Sequence, residues 1–274
     1  MIRDVTLGQY FPGSSFLHRM DPRSKILLMV FYVVTLFLGD TALSYGLLLV
    51  TTAAVILLTR ISLKFYLRGL KPLLFIMVFT GILNMLYSDG EPLFEFWIFS
   101  VSWNGIFSAL FMILRIVLMV LIMSVLTYTT SPLLLTGGLE RLLHPLTYLR
   151  VPVHDFAMMM TIALRFIPTL LEETEKIMNA QKARGADFES GSLVRRAKAL
   201  IPILIPLFVS AFRRAEELAV AMECRCYEGD RKNRTRFVEY RFTWRDLVGA
   251  LFCAALLVGV ILLNRVIVWN GVGV

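Results

Sequence analysis

Histidine and cysteine are scarce. Three of each in 274 residues leave little from which to build a metal centre or a thiol nucleophile. Cys224-x-Cys226 is the one close pair, and it supplies two of the four ligands that a structural zinc needs. His18, His144 and His154 are far from it in sequence. No metal site and no cofactor are expected. A phosphate-binding loop is missing too: Gly137-Gly138 lacks the following Lys-Ser/Thr, so the chain is not expected to hydrolyse a nucleotide itself. The apolar runs hold no His/Asp/Glu cluster and no nucleophile with a base, which argues against a membrane enzyme. No cleavable signal pattern precedes the first apolar run, which starts at Ile26 after His18-Arg19-Met20-Asp21-Pro22-Arg23. Lysine and arginine are absent from 88–104, where Asp89, Glu91 and Glu95 lie.

What is present is apolar. Hydrophobic residues make up 57% of the chain and mean hydropathy is +0.71, more than a soluble domain can hide. Five runs read as membrane helices: Ile26–Gly39, Ala42–Thr59, Pro72–Tyr87, Gly105–Tyr128 and Leu247–Val268. The formal charge of +8 is unevenly placed. Of 28 lysines and arginines, 26 lie in the amino-terminal segment, in 60–71 and in 132–246. The excess of positive charge on cytoplasmic loops then puts these on one side and the 88–104 loop on the other. Four spans return the chain to the cytoplasm at residue 131, and the fifth leaves the carboxyl end outside. Cys224 and Cys226 are then cytosolic and reduced. The expectation is an all-α polytopic membrane protein with about five transmembrane helices and a cytoplasmic set of amphipathic helices. Its parts are 1–131 (four spans), 132–243 (cytoplasmic) and 244–274 (last span).

The cytoplasmic part repeats a pattern. Pro168, Glu172-Glu173 and Ala183-Arg184-Gly185 are followed by Pro206, Glu216-Glu217 and Cys224-Arg225-Cys226, with Gly229 beyond. Proline to arginine is about 24 Å in the first pass and about 28 Å in the second, as helix. Helices are expected over 133–149, broken by Gly137-Gly138 and Pro145, over 154–184, and over 192–228, interrupted by Pro202 and Pro206. On the last, Ala197, Leu200, Ile201, Leu204, Leu207, Phe208, Ala211, Ala215, Leu218, Ala219 and Met222 share an apolar face, with Arg195, Lys198, Arg213 and Arg214 off it. The early halves of the two long helices are too greasy for water and too punctuated to span, so they lie along the inner membrane face or against the transmembrane helices. Residues 230–241 are a basic linker beside anionic head groups rather than a nucleic-acid site.

Plain explanations compete for each marked residue. A cation in a last helical turn complements the helix dipole by about 0.3–1 kcal/mol. Two such tips with small neighbours point instead to bidentate docking into carboxylate-lined pockets on partners. Glu172-Glu173 and Glu216-Glu217 point about 100° apart within each pair, so neither is a catalytic dyad; Arg213 and Arg214 stand at ordinary ion-pair spacing from Glu216 and Glu217. Met158 to Met160 are packing filler or an adaptable docking surface. Arg115 lies mid-span, where arginine costs about 2.5–3.5 kcal/mol, so it faces the bundle interior or a groove. It is a structural link or a functional contact, with Thr80 and Asn84 as possible partners. A stand-alone secondary transporter or channel with Arg115 in its pathway is the alternative function, although the spans are few and no inverted repeat of broken helices is visible.

Several stretches resemble one family. His18-Arg19-Met20-Asp21-Pro22-Arg23-Ser24-Lys25 resembles the opening of the transmembrane T component of energy-coupling factor (ECF) vitamin and metal importers. Thr129-Thr130-Ser131-Pro132 resembles its next landmark. Ala163-Leu164-Arg165-Phe166-Ile167-Pro168 and Gln181-Lys182-Ala183-Arg184-Gly185 resemble its coupling region, and Cys224-Arg225-Cys226 falls where its second X-Arg-X motif falls. The flanking cysteines depart from the alanine and glycine frequent there. The resemblance implies a non-catalytic scaffold in the plasma membrane. Its partners would be a substrate-binding S component in the bilayer and two ABC-type ATPases. Ala183, Arg184, Gly185, Cys224, Arg225 and Cys226 would form the ATPase-docking tips.

Overall fold

A computed structural model describes residues 10–87, 92–96, 99–188, 192–227 and 240–269. Gly229, most of the 230–241 linker, Asp89 and Glu91 lie outside the described residues. The described helices are α1 (Pro22–Phe37), α2 (Ala42–Thr59), α3 (Leu63–Leu70), α4 (Leu74–Tyr87), α5 (Trp103–Thr129), α6 (Pro132–Leu143), α7 (Val153–Ala183), α8 (Leu193–Cys224) and α9 (Trp244–Trp269). A short antiparallel hairpin, β1 (Pro92–Phe96) and β2 (Phe99–Ser102), interrupts this all-α architecture between α4 and α5. The chain clusters into two compact units. Of the described residues, one unit takes those of 10–142 and 240–269, the other those of 143–227.

The first unit is the membrane bundle. Four stretches are long and apolar enough to cross a bilayer: Ala42–Thr59, Leu63–Met85, Gly105–Thr129 and Trp244–Val266. The expected first span is shorter. Helix α1 has 16 residues, about 24 Å of rise, and it packs with α5 and α9 in the same bundle. Asp21 caps it by accepting the Arg23 amide at 2.9 Å, with Pro22 at its first position. Thr41 caps α2 through the Ser44 amide, and Arg60 ends α2 in the left-handed conformation at φ 59°.

The bundle core joins α1, α2, α5 and α9 through Tyr32, Leu36, Tyr45, Leu48, Leu118, Ile122, Leu256 and Val260. A second cluster seats α3 with Ile56, Tyr66, Val125 and Tyr128. The buried hydroxyls are satisfied locally: Tyr32 donates to the Leu48 carbonyl at 3.1 Å and meets Thr52 at 2.5 Å. Outward faces are apolar. Phe75 is 77% exposed, Leu57 70% and Val50 64%, which water would penalise and lipid does not. This is a multi-pass membrane protein.

Gly137-Gly138 does not break α6, which runs through both. The glycines instead permit close approach: a methyl on Gly138 would stand 3.0 Å from Pro22 Cβ, and one on Gly137 would overlap the Tyr240 hydroxyl. Nor do prolines interrupt α8, which continues through Pro202 and Pro206, as α7 does through Pro168. Each proline removes one backbone donor, and 32 residues of α8 carry the remaining ladder past that loss.

Candidate functional site

The second unit is a helix pair. Ser210 and Arg214 of α8 both reach Glu173 of α7, at 2.5 and 2.6 Å. Further along, Tyr227, just past α8, donates to Met158 near the start of α7. As α8 advances its partners on α7 go backwards, so the pair is antiparallel. The arginine tips therefore sit at opposite ends. Met158 and Arg184 are 26 residues apart in the sequence, which sets the tips roughly 35–40 Å from each other.

Both tips have the same backbone. At the first, the Gly185 amide donates to the Lys182 carbonyl and the Ala186 amide to the Gln181 carbonyl, both at 3.0 Å. At the second, the Cys226 amide donates to Glu223 at 2.8 Å and the Tyr227 amide to Met222 at 3.0 Å. Each is a Schellman closure, and each places an arginine at the cap. The cap residues adopt nearly equal angles, φ −86° and ψ 7° at Arg184, φ −92° and ψ 15° at Arg225. The left-handed position holds Gly185 at φ 87° in one and Cys226 at φ 53° in the other. At the second tip a cysteine, not a glycine, takes the left-handed position. Ala183, Arg184, Gly185, Cys224, Arg225 and Cys226 are all exposed. No described carboxylate pairs with either arginine. Cys224 and Cys226 are free thiols.

The covered stripe of α8 differs from the expected face. Ala199, Ile203, Leu207, Ser210, Ala211, Arg214, Leu218 and Met222 are the less exposed positions. Arg214, expected off the face and paired with Glu217 or Glu216, lies on this stripe and pairs with Glu173. Leu204, Ile205, Phe208, Val209 and Phe212 remain exposed, Phe212 by 73%. Glu173 accepts from both Ser210 and Arg214, so one carboxylate takes two donors of the facing helix.

In the bundle, polar residues meet at one end. Lys25 Nζ donates to the Thr129 carbonyl at 3.1 Å, to Thr130 Oγ1 at 3.0 Å and to the His18 carbonyl at 3.4 Å. Asp246 accepts the Asp21 amide at 3.0 Å and caps α9 through the Thr243 amide at 2.7 Å. Arg23 reaches the Tyr240 carbonyl and lies over the Tyr240 and Phe242 rings. His18 donates from Nε2 to the Phe11 carbonyl at 3.0 Å, and its Nδ1 meets the Ser15 hydroxyl at 2.6 Å. Lys25 stands one residue before the apolar run of α1. Desolvation lowers its ammonium to about 8, and Asp246 and Asp21 pull the other way. An aspartate just before α1, at 21, and another in the first turn of α9, at 246, are the sequence signal for this knot.

Arg115 does not use Thr80 or Asn84. Thr80 bonds its own helix, and Asn84 donates to Met112. Arg115 instead donates to the Tyr45 hydroxyl at 2.8 Å and to the Gly39 carbonyl at 3.3 Å, with Phe37 and Tyr45 rings beneath its guanidinium. Asn264 of α9 meets the same α1–α2 turn, donating to Leu38 and accepting from Thr41 and Ser44. Both residues pin that turn. Asn264, a lone amide in an apolar run, was overlooked in the sequence.

The family model described as "CbiQ: Cobalt transport protein" matches residues 13–237. A protein of Ruminiclostridium cellulolyticum, named energy-coupling factor transporter transmembrane protein EcfT, is 50% identical over 266 residues, 97% of this chain and 99% of its own. Proteins with the same name match in Brevibacillus brevis, 52% identical over 94% of this chain and 97% of the relative, and in Bacillus subtilis, 46% identical over 94% and 98%. The chain belongs to the EcfT/CbiQ family. Both Schellman tips and most of the polar knot lie within the matched residues. In this family member, then, His18–Lys25 and Thr129–Pro132, far apart in the chain, are two sides of one contact around the Lys25 ammonium.

Proposed function

We propose that this transmembrane T component is the non-catalytic scaffold of an ATP-driven vitamin or metal-ion importer. It couples two ABC-type ATPase subunits to a substrate-binding S component. One observation carries the reading: two conformationally equal, exposed arginine caps at opposite ends of one antiparallel helix pair. A spacing of roughly 35–40 Å suits two separate ATPases, one per tip. Each guanidinium, lifted on a helix end with small neighbours, would meet acidic side chains in an ATPase groove, where bidentate pairing is strongest.

In this account residues 132–243 are the cytoplasmic coupling region and 1–131 with 244–274 carry the spans. The amino terminus is cytoplasmic, in keeping with the positive charge of these segments. Movement of one ATPase relative to the other loads the two ends of the α7–α8 pair differently. The junction at Glu173 transmits that load to the exposed apolar side of α8, where Leu204, Phe208 and Phe212 offer a surface to the S component. Arg115 serves as a structural link that holds the α1–α2 turn.

Reversing both charges, Arg184→Glu with Arg225→Glu, is expected to abolish co-purification of the ATPases while leaving membrane insertion intact. Each single reversal weakens assembly less, because two docking points on one body reinforce each other. Normal ATPase recovery with the double variant overturns the proposal.

A further inference from the structure

We infer that α3 and α4 form a binding groove for an anionic phospholipid, independent of the ATPase tips. A groove of about 540 Å³ is lined by Lys64, Leu67, Arg68, Leu70, Lys71, Leu74 and Met77. Its two ends differ in chemistry. Lys64, Arg68 and Lys71, spaced i, i+4 and i+7, bring three cations to one stripe. Leu70, Leu74 and Met77 continue from there into the apolar part of the candidate span Leu63–Met85.

The stripe is held in place from behind. Tyr66, on the opposite side of α3, is 1% exposed, meets Thr59 at 3.1 Å and packs edge-on against Tyr128. Tyr128 also donates to the Phe65 carbonyl, and Arg68 lies 6.0 Å from the Phe65 ring centroid. Helix α3 therefore cannot roll to disperse its cations. No aspartate or glutamate occurs between Asp40 and Asp89, and among the described residues no carboxylate pairs with the three. An amphiphile with an anionic head and an apolar tail satisfies both halves of the groove. A phosphodiester head takes the three cations, and an acyl chain lies along Leu70, Leu74 and Met77. An acidic protein segment would satisfy only the first half.

The test is native mass spectrometry of the full chain released from nanodiscs of phosphatidylcholine mixed with phosphatidylglycerol. The wild type and Lys64→Arg/Lys71→Arg are expected to retain phosphatidylglycerol in preference to phosphatidylcholine. Each cation near a membrane surface is worth about fivefold in binding, so Lys64→Gln/Arg68→Gln/Lys71→Gln loses retention by on the order of a hundredfold. The wild type alone gives a second reading: its Tm rises with phosphatidylglycerol content. Equal retention by the neutral variant, equal retention of phosphatidylcholine, or a Tm indifferent to lipid charge overturns the inference. So does a neutral variant that keeps its lipid but loses a co-purifying protein, which would assign the cations to an acidic partner.

Discussion

Cys226 occupies a backbone position that glycine fills at the other tip. At φ 53° its Cβ crowds the following carbonyl, a cost of roughly 1–2 kcal/mol for a residue other than glycine. Cys226→Gly should relieve it and stabilise the end of α8 by about 1 kcal/mol, offset in part by glycine's greater freedom when unfolded. Amide exchange at Tyr227 and Cys226 reads this directly: slower exchange is expected, and unchanged or faster exchange contradicts it. Lys25 yields a second residue-scale prediction. Its ammonium is lowered to about 8 from an ordinary 10.5, so the folded state releases this proton earlier than the unfolded chain. The unfolded chain then binds more protons between those values, and stability from this group rises with pH across that window. Measured as the Tm difference between wild type and Lys25→Met from pH 7 to 10, the balance should move toward the wild type. A difference that is flat or moves the other way contradicts the burial of a charged Lys25.

Among the elements, α7 and α8 meet through a polar junction rather than a greasy seam. Glu173 takes both Ser210 and Arg214, whose side chain is 36% exposed, so the ion pair is only partly screened. A double-mutant cycle with Glu173→Gln and Arg214→Gln should return a coupling of about 1 kcal/mol, at the upper end for pairs of this exposure. A coupling near zero would show that the helices are registered by their apolar residues alone. This junction explains what the sequence could and could not tell. Existence and approximate length of α7 and α8 were legible from period and from the repeated Pro–Glu-Glu–Arg pattern. The covered face was not, because an exposed apolar side meant for lipid or a partner has the same period as a buried one. Periodicity reports which side is apolar, and not which neighbour covers it. Likewise Gly137-Gly138 read as a break, since only the positions of Pro22 and Tyr240 reveal a close crossing. Arg115 was visible as a costly residue, yet its partners, Tyr45 and Gly39, are set by how α5 lies against α2.

For the whole molecule, composition settled the class and charge placement suggested the sidedness. The membrane unit pins its helices at both ends, through Lys25 with Asp246 at one and Arg115 with Asn264 at the other. The unit holding α7 and α8 presents its two arginines bare. That contrast is the basis of the docking account: cations inside the bundle have partners within this chain, whereas Arg184 and Arg225 have no described carboxylate to meet. The thiols flanking Arg225 make the account testable without any substitution. Cys224 and Cys226 are exposed in the chain by itself. Maleimide labelling of these two cysteines, compared between the isolated chain and the chain assembled with the proposed ATPase partners, is the most direct measurement. The account predicts rapid labelling alone and strong protection on assembly; equal labelling rates in the two states would contradict it.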